Sequence, residues 1–260
     1  MRAQLFISTL LMDFCIGAEP GAVREMSTDR PDTTESAYTV PKGLFQVEMS
    51  LLDFNRDSFD GTTEESWIFG QVNFKVGLAE DMDLQMVFDT YTSVRTRMGN
   101  GVEGQDGFGD VTLRLKRNLW GNDGGTTALA IMPFVSIPTE TALSRGVWGG
   151  GLIIPLAVEI SPRVGLGLMA EVDVVHDDER GEYGLEWLTS ATLGFGVTDR
   201  VGAFVEVVGI ASDHADFQAL FDAGVTYALT DTFVLDAGVR LGLNRPAPDL
   251  GLFTGMSFRF

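Results

Sequence analysis

Cysteine and basic residues are scarce in this chain of 260 residues. A single cysteine excludes a framework of internal disulfides and any cysteine-rich zinc or iron–sulfur site. Lys and Arg together number 18 against 37 Asp and Glu, which gives a formal net charge of −19. Because nucleic acid is recognised through a basic face, this balance argues against a nucleic-acid partner.

Long apolar runs are also absent beyond the N-terminus. No such stretch reaches the roughly 18 consecutive apolar residues that a membrane-spanning helix requires. A hydrophobic content of 45% nevertheless excludes a disordered chain. The apolar residues must therefore lie in shorter segments, and their spacing decides the fold.

The first 18 residues are typical of a signal peptide. Arg2 precedes the apolar run Leu5–Ile16, and the small residues Gly17 and Ala18 end it. An N-terminal helix is the alternative interpretation. We expect a signal peptide over residues 1–18, a periplasmic lead-in or lumen plug over 19–43, and a β-barrel over 44–260.

From residue 44 onward the dominant hydrophobic period is two residues. Phe45, Val47 and Met49 alternate with Gln46 and Glu48, and the same pattern recurs to the end of the chain. The pattern predicts about 12 strands of roughly ten residues, the length that a tilted strand needs to cross a bilayer. Residues 126–137 are apolar on both faces, so the orientation of this strand stays ambiguous.

Connections between the predicted strands alternate between short turns and longer polar segments. We expect the long connections over 53–65, 92–107, 138–147, 176–182, 211–216 and 244–249. Outer-membrane barrels have short periplasmic turns, longer outer loops, and both termini on the short-turn side. The sequence therefore predicts an all-β fold, a transmembrane antiparallel β-barrel in the outer membrane of a Gram-negative bacterium, with outer-membrane lipid around it.

The polar faces of the strands decide between a barrel and a soluble β-sandwich. The opposite, apolar faces are almost free of charge, whereas a water-exposed surface would carry charges and lipid penalises them. We therefore place the polar faces in a lumen, where acids outnumber bases and favour cations or neutral solutes. The lumen-lining or selectivity candidates are Glu48, Lys75, Asp89, Asp110, Arg114, Lys116, Glu159, Glu171, Asp173, Glu186, Glu206, Asp222, Asp236, Arg240 and Arg259.

A set of short motifs lies at Thr28–Ser36, Thr39–Gly43, Gln46–Glu48, Gly107–Lys116, Asn118–Gly121, Met132–Phe134, Leu235–Val239 and Gly242–Asn244. Together these motifs resemble a family of outer-membrane transporters named for the meta-pathway of phenol degradation. The resemblance covers about residues 27 to 260 and implies an outer-membrane barrel with a transport role. The last strand, with Phe258 and Phe260 on one face, also resembles the assembly signal read by the barrel-assembly machinery.

Catalytic and metal-binding patterns are weak. Asp53, Asn55, Asp57 and Glu64 fit positions of a calcium loop, but Ser58 stands where the sharp turn needs glycine. His176 and His214 lie on different predicted outer loops, so no acid–base or metal constellation is expected. We predict no enzyme activity, no cofactor and no metal site.

The leading hypothesis is a channel or transporter for passive uptake of small molecules, hydrophobic or aromatic ones included. The alternative is a closed structural or adhesive barrel whose outer loops bind a partner. In either case, residues 29–32 before the first strand would enter the lumen as a plug and pair with Arg114, Lys116 or Asp236, or remain a flexible lead-in.

Overall fold

The computed structural model describes residues 23–177 and 180–260, so the predicted signal peptide lies outside the described residues. No helix in this part of the chain is long and apolar enough to cross a membrane. The strands are β1 (Phe45–Phe59), β2 (Thr62–Ala79), β3 (Met82–Met98), β4 (Gly101–Gly107), β5 (Val111–Trp120), β6 (Thr127–Ile137), β7 (Gly149–Ser161), β8 (Val164–Asp177), β9 (Glu182–Gly196), β10 (Val201–Ser212), β11 (Gln218–Thr230), β12 (Phe233–Gly242) and β13 (Leu250–Arg259).

All strand pairings are antiparallel, and the sheet closes on itself. β1 pairs with both β2 and β13, and β3 pairs with β2, β4 and β5. The inner half of β3, up to Val87, pairs with β5, and its outer half, from Thr92, pairs with β4. β4 and β5 therefore share one place in the ring, and the predicted 12-strand antiparallel barrel is confirmed.

Side-chain exposure follows the two-residue period. Leu84 and Trp187 are 40% and 51% exposed on the outer face, whereas Gln85 and Thr192 are almost fully buried on the inner face. Such a surface matches a lipid-facing band around a polar interior.

Two of the predicted outer loops are wrong. Residues 53–65 and 92–107 lie mostly in extended hairpins, β1–β2 and β3–β4, which turn at Asp60–Gly61 and Gly99–Asn100. Polar residues lie on both faces there, so the alternation that identifies a half-apolar strand is missing. Asp57 is the register partner of Glu64 across this ladder, so the calcium-loop template describes a hairpin.

The ambiguous segment forms β6 with an apolar inner face. Ala128, Ala130 and Met132 are fully buried on the inner face. Pro133 belongs to the opposite face and is exposed. Both faces are apolar because part of the lumen wall is apolar as well. The sequence pattern indicated the strand but could not choose its inner face.

Residues 23–43 form no strand and are called the N-terminal segment from here on. Pro41 and Leu44 make backbone hydrogen bonds that lead into β1. The rest of the segment contacts the inner faces of strands from β1 round to β13, through the side chains described next.

Candidate functional site in the barrel lumen

Asp29 joins the N-terminal segment to two strands of the barrel wall. Its carboxylate accepts hydrogen bonds from the ammonium groups of Lys75 on β2 and Lys116 on β5, the latter at 2.7 Å. Both lysines and Asp29 are buried. The predicted pairing between this stretch and Lys116 is therefore present, and Lys75 joins it.

Glu48 on β1 completes this group of charges. It forms an ion pair with Lys75, and its carboxylate accepts the backbone N–H groups of Asp29 and Arg30 at 2.9 Å each. Two buried lysines thus face two buried carboxylates. Such an arrangement is tolerated because each charge has an opposite partner, whereas an unpaired buried charge costs several kcal/mol.

Arg30 crosses to the other side of the lumen. Its guanidinium forms an ion pair with Asp236 on β12 at 2.7 Å, as the sequence predicted. Gly255 on β13 makes room for it, because a Cβ there would lie 2.4 Å from Nη2 of Arg30. The glycine-rich inner face of β13 is therefore needed for the passage of this side chain.

Glu206 on β10 binds the next turn of the segment. It accepts the backbone N–H groups of Thr33 and Thr34, each at 2.8 Å. Thr34 Oγ1 also lies 2.6 Å from Ser190 Oγ on β9. Asp222 on β11 accepts a hydrogen bond from Arg240 on β12, at 3.2 Å.

The inner end of the segment is held by polar side chains near the short turns. Arg259 of β13 donates to the backbone carbonyls of Arg24 and Glu25. Asp83 accepts the N–H of Val40, and Asn118 donates to the carbonyl of Ala37. Sequence reasoning missed these two acceptor and donor residues, because a single Asp or Asn beside a turn carries no distinctive pattern.

The electrostatics of Asp29 follow from its two lysines. Burial alone would raise the pKa of this carboxyl, but the ammonium groups of Lys116 and Lys75 outweigh burial and lower the pKa well below its usual range. Asp29 is therefore ionised at neutral pH and holds the segment as a charged group.

Two cavities lie on the outer side of the N-terminal segment. The inner one, of about 200 Å³, is lined by the segment itself from Asp29 to Thr33. The outer one, of about 350 Å³, is called the vestibule. Gln71, Val87 and Arg114 line both cavities, so the two adjoin.

The vestibule collects six more of the predicted lumen charges, whereas Glu159, near the end of β7, lies outside it. Its charged lining consists of Asp89, Asp110, Arg114, Arg145, Glu171, Asp173 and Glu186. Arg114 forms an ion pair with Glu35 of the N-terminal segment at 2.5 Å. Asp110 instead holds the β6–β7 connection, because it accepts from Ser144 Oγ at 2.5 Å.

An apolar stretch of the inner wall was not predicted. Met132, Ile153 and Met169 form a buried cluster on β6, β7 and β8, with Phe134 and Leu188 packed against it. A second cluster near the outer end shares Leu188 and includes Ala247 of the β12–β13 connection. The doubly apolar β6 was the only signal of this wall in the sequence.

Both histidines lie at the outer ends of strands. His176 belongs to β8, not to a loop, and its ring meets Tyr183 edge-on. His214 Nδ1 lies 3.9 Å from the carboxylate of Asp177. Across residues 23–177 and 180–260, no group of three or more His, Cys, Asp or Glu is arranged to hold a metal ion.

The family described as the MetA-pathway of phenol degradation has a sequence model that matches residues 28–260. The chain belongs to this family. The predicted resemblance is thus confirmed over the whole barrel and most of the N-terminal segment. No curated protein sequence matches the chain.

Several solved structures share this fold. The COG4313 outer membrane channel from Pseudomonas putida F1 has a TM-score of 0.62 at 14% identity, over 90% of this chain and 100% of that one. The NanC porin has a TM-score of 0.53 at 9% identity, over 82% and 98%. The translocator domain of the autotransporter NalP from Neisseria meningitidis has a TM-score of 0.52 at 11% identity, over 84% and 89%.

These likenesses concern the fold. A closed antiparallel barrel of 12 strands, with an apolar outer band and a polar interior, is the architecture of outer-membrane proteins. This member of the phenol-degradation family is accordingly an outer-membrane protein of a Gram-negative bacterium.

Proposed function

We propose that the protein is a passive outer-membrane channel for small molecules, with apolar and aromatic solutes among them. The observation that carries this proposal is the pair of adjoining cavities that ends on the N-terminal segment. The lumen is thus roomy on its outer side and filled on its inner side. This geometry supports a channel that the N-terminal segment plugs.

The solute class is inferred from the wall and from the family. Phe134 and Leu188 border an apolar cluster on β6 to β9, and an apolar wall favours the uncharged, apolar part of a solute. The description of the family refers to the degradation of phenol, and phenol is an aromatic compound. The neighbour from Pseudomonas putida is itself named an outer membrane channel.

The N-terminal segment acts as the plug in this proposal. Hydrogen bonds with wall side chains hold the segment, and few of its bonds join backbone to backbone. The segment can therefore leave without breaking the hydrogen bonds of the barrel sheet. Its removal would free the inner faces of β1, β2, β5 and β10. Solute passage therefore requires displacement of the segment, in whole or in part.

A reversible cross-link tests the plug. Because Thr34 Oγ1 and Ser190 Oγ are 2.6 Å apart, a Thr34→Cys/Ser190→Cys variant places two sulfur atoms within disulfide reach. The only native cysteine, Cys15, lies in the predicted signal peptide. We expect ionic conductance in planar bilayers to be low when the pair is oxidised and to return on reduction.

The single variant Ser190→Cys, treated with the same oxidant, is the matched control and should show no redox response. Equal conductance in the oxidised and reduced double variant would contradict a plug at this site. Liposome swelling with a small neutral sugar gives an independent measure of solute passage.

A closed structural barrel is the second candidate. It is favoured by the inner-half charges, since Asp29, Glu48, Lys75 and Lys116 are all paired. In that case neither redox state conducts and no solute enters liposomes. Steady conductance of the reduced variant would exclude it.

A further inference from the structure

Four residues form a row across the outer half of the lumen. Phe134 on β6 pairs with Gly151 on β7, Gly151 pairs with Asp173 on β8, and Asp173 pairs with Glu186 on β9. The row therefore follows the hydrogen-bonding direction across four neighbouring strands. Phe134, Asp173 and Glu186 all line the vestibule.

Gly151 allows an aromatic ring and a carboxylate to approach the same point. A Cβ at this position would lie 2.5 Å from Asp173 Oδ1 and 2.8 Å from Cε1 of Phe134. Any larger residue would therefore push the ring and the carboxylate apart. Glycine leaves them side by side, facing the same cavity.

Carboxylates in the row exceed the cations available to them. Asp173 and Glu186 are direct neighbours across the β8–β9 ladder, and like charges in such a pair repel. Glu171 lies two residues along β8 and lines the same cavity. None of the three forms a salt bridge within the described chain, and Asp173 Oδ1 is shielded from solvent without a hydrogen-bond partner there.

The two guanidinium groups of the vestibule form no salt bridge with the carboxylates of this row in the described chain. Arg114 is bound to Glu35 of the N-terminal segment at 2.5 Å. Arg145 lies on the β6–β7 connection, where it is exposed. The row thus retains negative charge beside an aromatic ring, inside a cavity large enough for a small organic molecule.

We propose that this row binds a small organic cation, an ammonium group joined to an aromatic or alkyl part. The carboxylates of Asp173 and Glu186 attract the ammonium, and the Phe134 ring adds a cation–π contact. The apolar part packs towards the wall near Leu188. The inference rests on the proposed function, because the vestibule is taken as the outer part of the solute path.

Calorimetric titration of the full chain in detergent tests the site with benzylammonium as the probe and benzyl alcohol as its neutral counterpart. We expect benzylammonium to bind at least 10-fold more tightly than benzyl alcohol. Asp173→Asn should weaken benzylammonium at least 10-fold, and Phe134→Leu several-fold. Asp231→Asn, at an inner turn, is the matched control and should leave binding unchanged.

Glu186→Gln provides a second variant, should Asp173→Asn fail to assemble, and it should weaken benzylammonium in the same direction. Equal affinity for the two probes, or binding indifferent to both acid variants, would overturn the inference. Conductance of the same preparations in potassium chloride separates the two proposals. A conducting protein that does not prefer benzylammonium refutes the site alone, and a non-conducting protein that prefers it refutes the channel alone.

Discussion

The carboxylate of Asp29 joins the N-terminal segment to two strands that are far apart in sequence. The carboxylate forms ion pairs with Lys75 of β2 and Lys116 of β5, and the backbone N–H of Asp29 donates to the carboxylate of Glu48 on β1. Removing one member of a buried charge group leaves its partners uncompensated, which costs about 3–5 kcal/mol. The seating of the N-terminal segment should therefore depend on this residue more than on any exposed charge.

Asp29→Asn is accordingly expected to loosen the segment. Lys116 would then lose the carboxylate that it is paired with, and Lys75 would keep only Glu48. We therefore expect more frequent or longer openings in single-channel recordings. Asp199→Asn, which breaks the exposed pair with Arg163 at 3.6 Å, is the control and should change nothing measurable. Identical recordings from both variants would show that Asp29 does not hold the plug.

The pH dependence of this contact has a definite sign. Because the pKa of Asp29 is lowered in the folded protein, its contribution to stability is present above the ordinary carboxyl pKa. It is lost only as the pH falls through the lowered value. We expect the Asp29-dependent difference in opening between wild type and Asp29→Asn to persist unchanged from pH 7 down to about pH 5.

Among the elements, the seam between β1 and β13 closes the ring. Phe45 and Phe260 exchange backbone hydrogen bonds of 2.9 Å in both directions. The Phe260 ring stacks on those of Phe45 and Phe258, with centroids 5.8 and 5.9 Å apart. The two predicted assembly residues, Phe258 and Phe260, thus lie at the last contact that completes the barrel.

Phe260→Ala should slow assembly in cells by removing both the stacked ring and the proposed signal for the barrel-assembly machinery. The measurement is the fraction of membrane-inserted protein that migrates as a folded barrel in unheated gels. Leu252→Ala, on the outer face of the same strand and 46% exposed, is the matched control. An equal loss in both variants would point to lost lipid contact alone.

Elements differ in how far the sequence could predict them. The half-apolar strands such as β10 and β12 were predictable, because lipid on one side and polar lumen on the other impose a strict two-residue period. β6 was ambiguous, because its inner face is apolar too. The outer parts of β1 to β4 were missed because both faces are polar there.

The candidate site was predictable only as a set of charges. The inward parity of Lys75, Lys116 and Asp236 followed from the strand pattern, and the pairing of Asp236 with residues 29–32 was foreseen. Entry of residues 29–32 into the lumen was one of two alternatives that the sequence left open, and the acidic vestibule on the outer side of this segment was not foreseen. The vestibule depends on the register between successive strands, as the Phe134–Gly151–Asp173–Glu186 row on β6 to β9 shows, and the hydrophobic pattern does not give that register.

Across the whole molecule, negative charge is concentrated where a solute would enter. The vestibule is lined by five carboxylates and two guanidinium groups, and an acidic lining favours cations. We therefore expect cation selectivity in a potassium chloride gradient, measured as the sign of the reversal potential. Glu171→Lys together with Glu186→Lys should move that potential towards chloride, and anion selectivity of the wild type would contradict the expectation.

The bonds between Arg259 and the carbonyls of Arg24 and Glu25 bear on how the barrel is made. β13, the strand that completes the barrel, also binds the start of the N-terminal segment. Closure of the barrel and placement of the proposed plug therefore depend on the same few residues. If the segment is a plug, the barrel would thus already be closed to solutes when its insertion into the membrane is complete. Under the proposed function, the cell would gain an entry route without passing through a stage at which its outer membrane leaks.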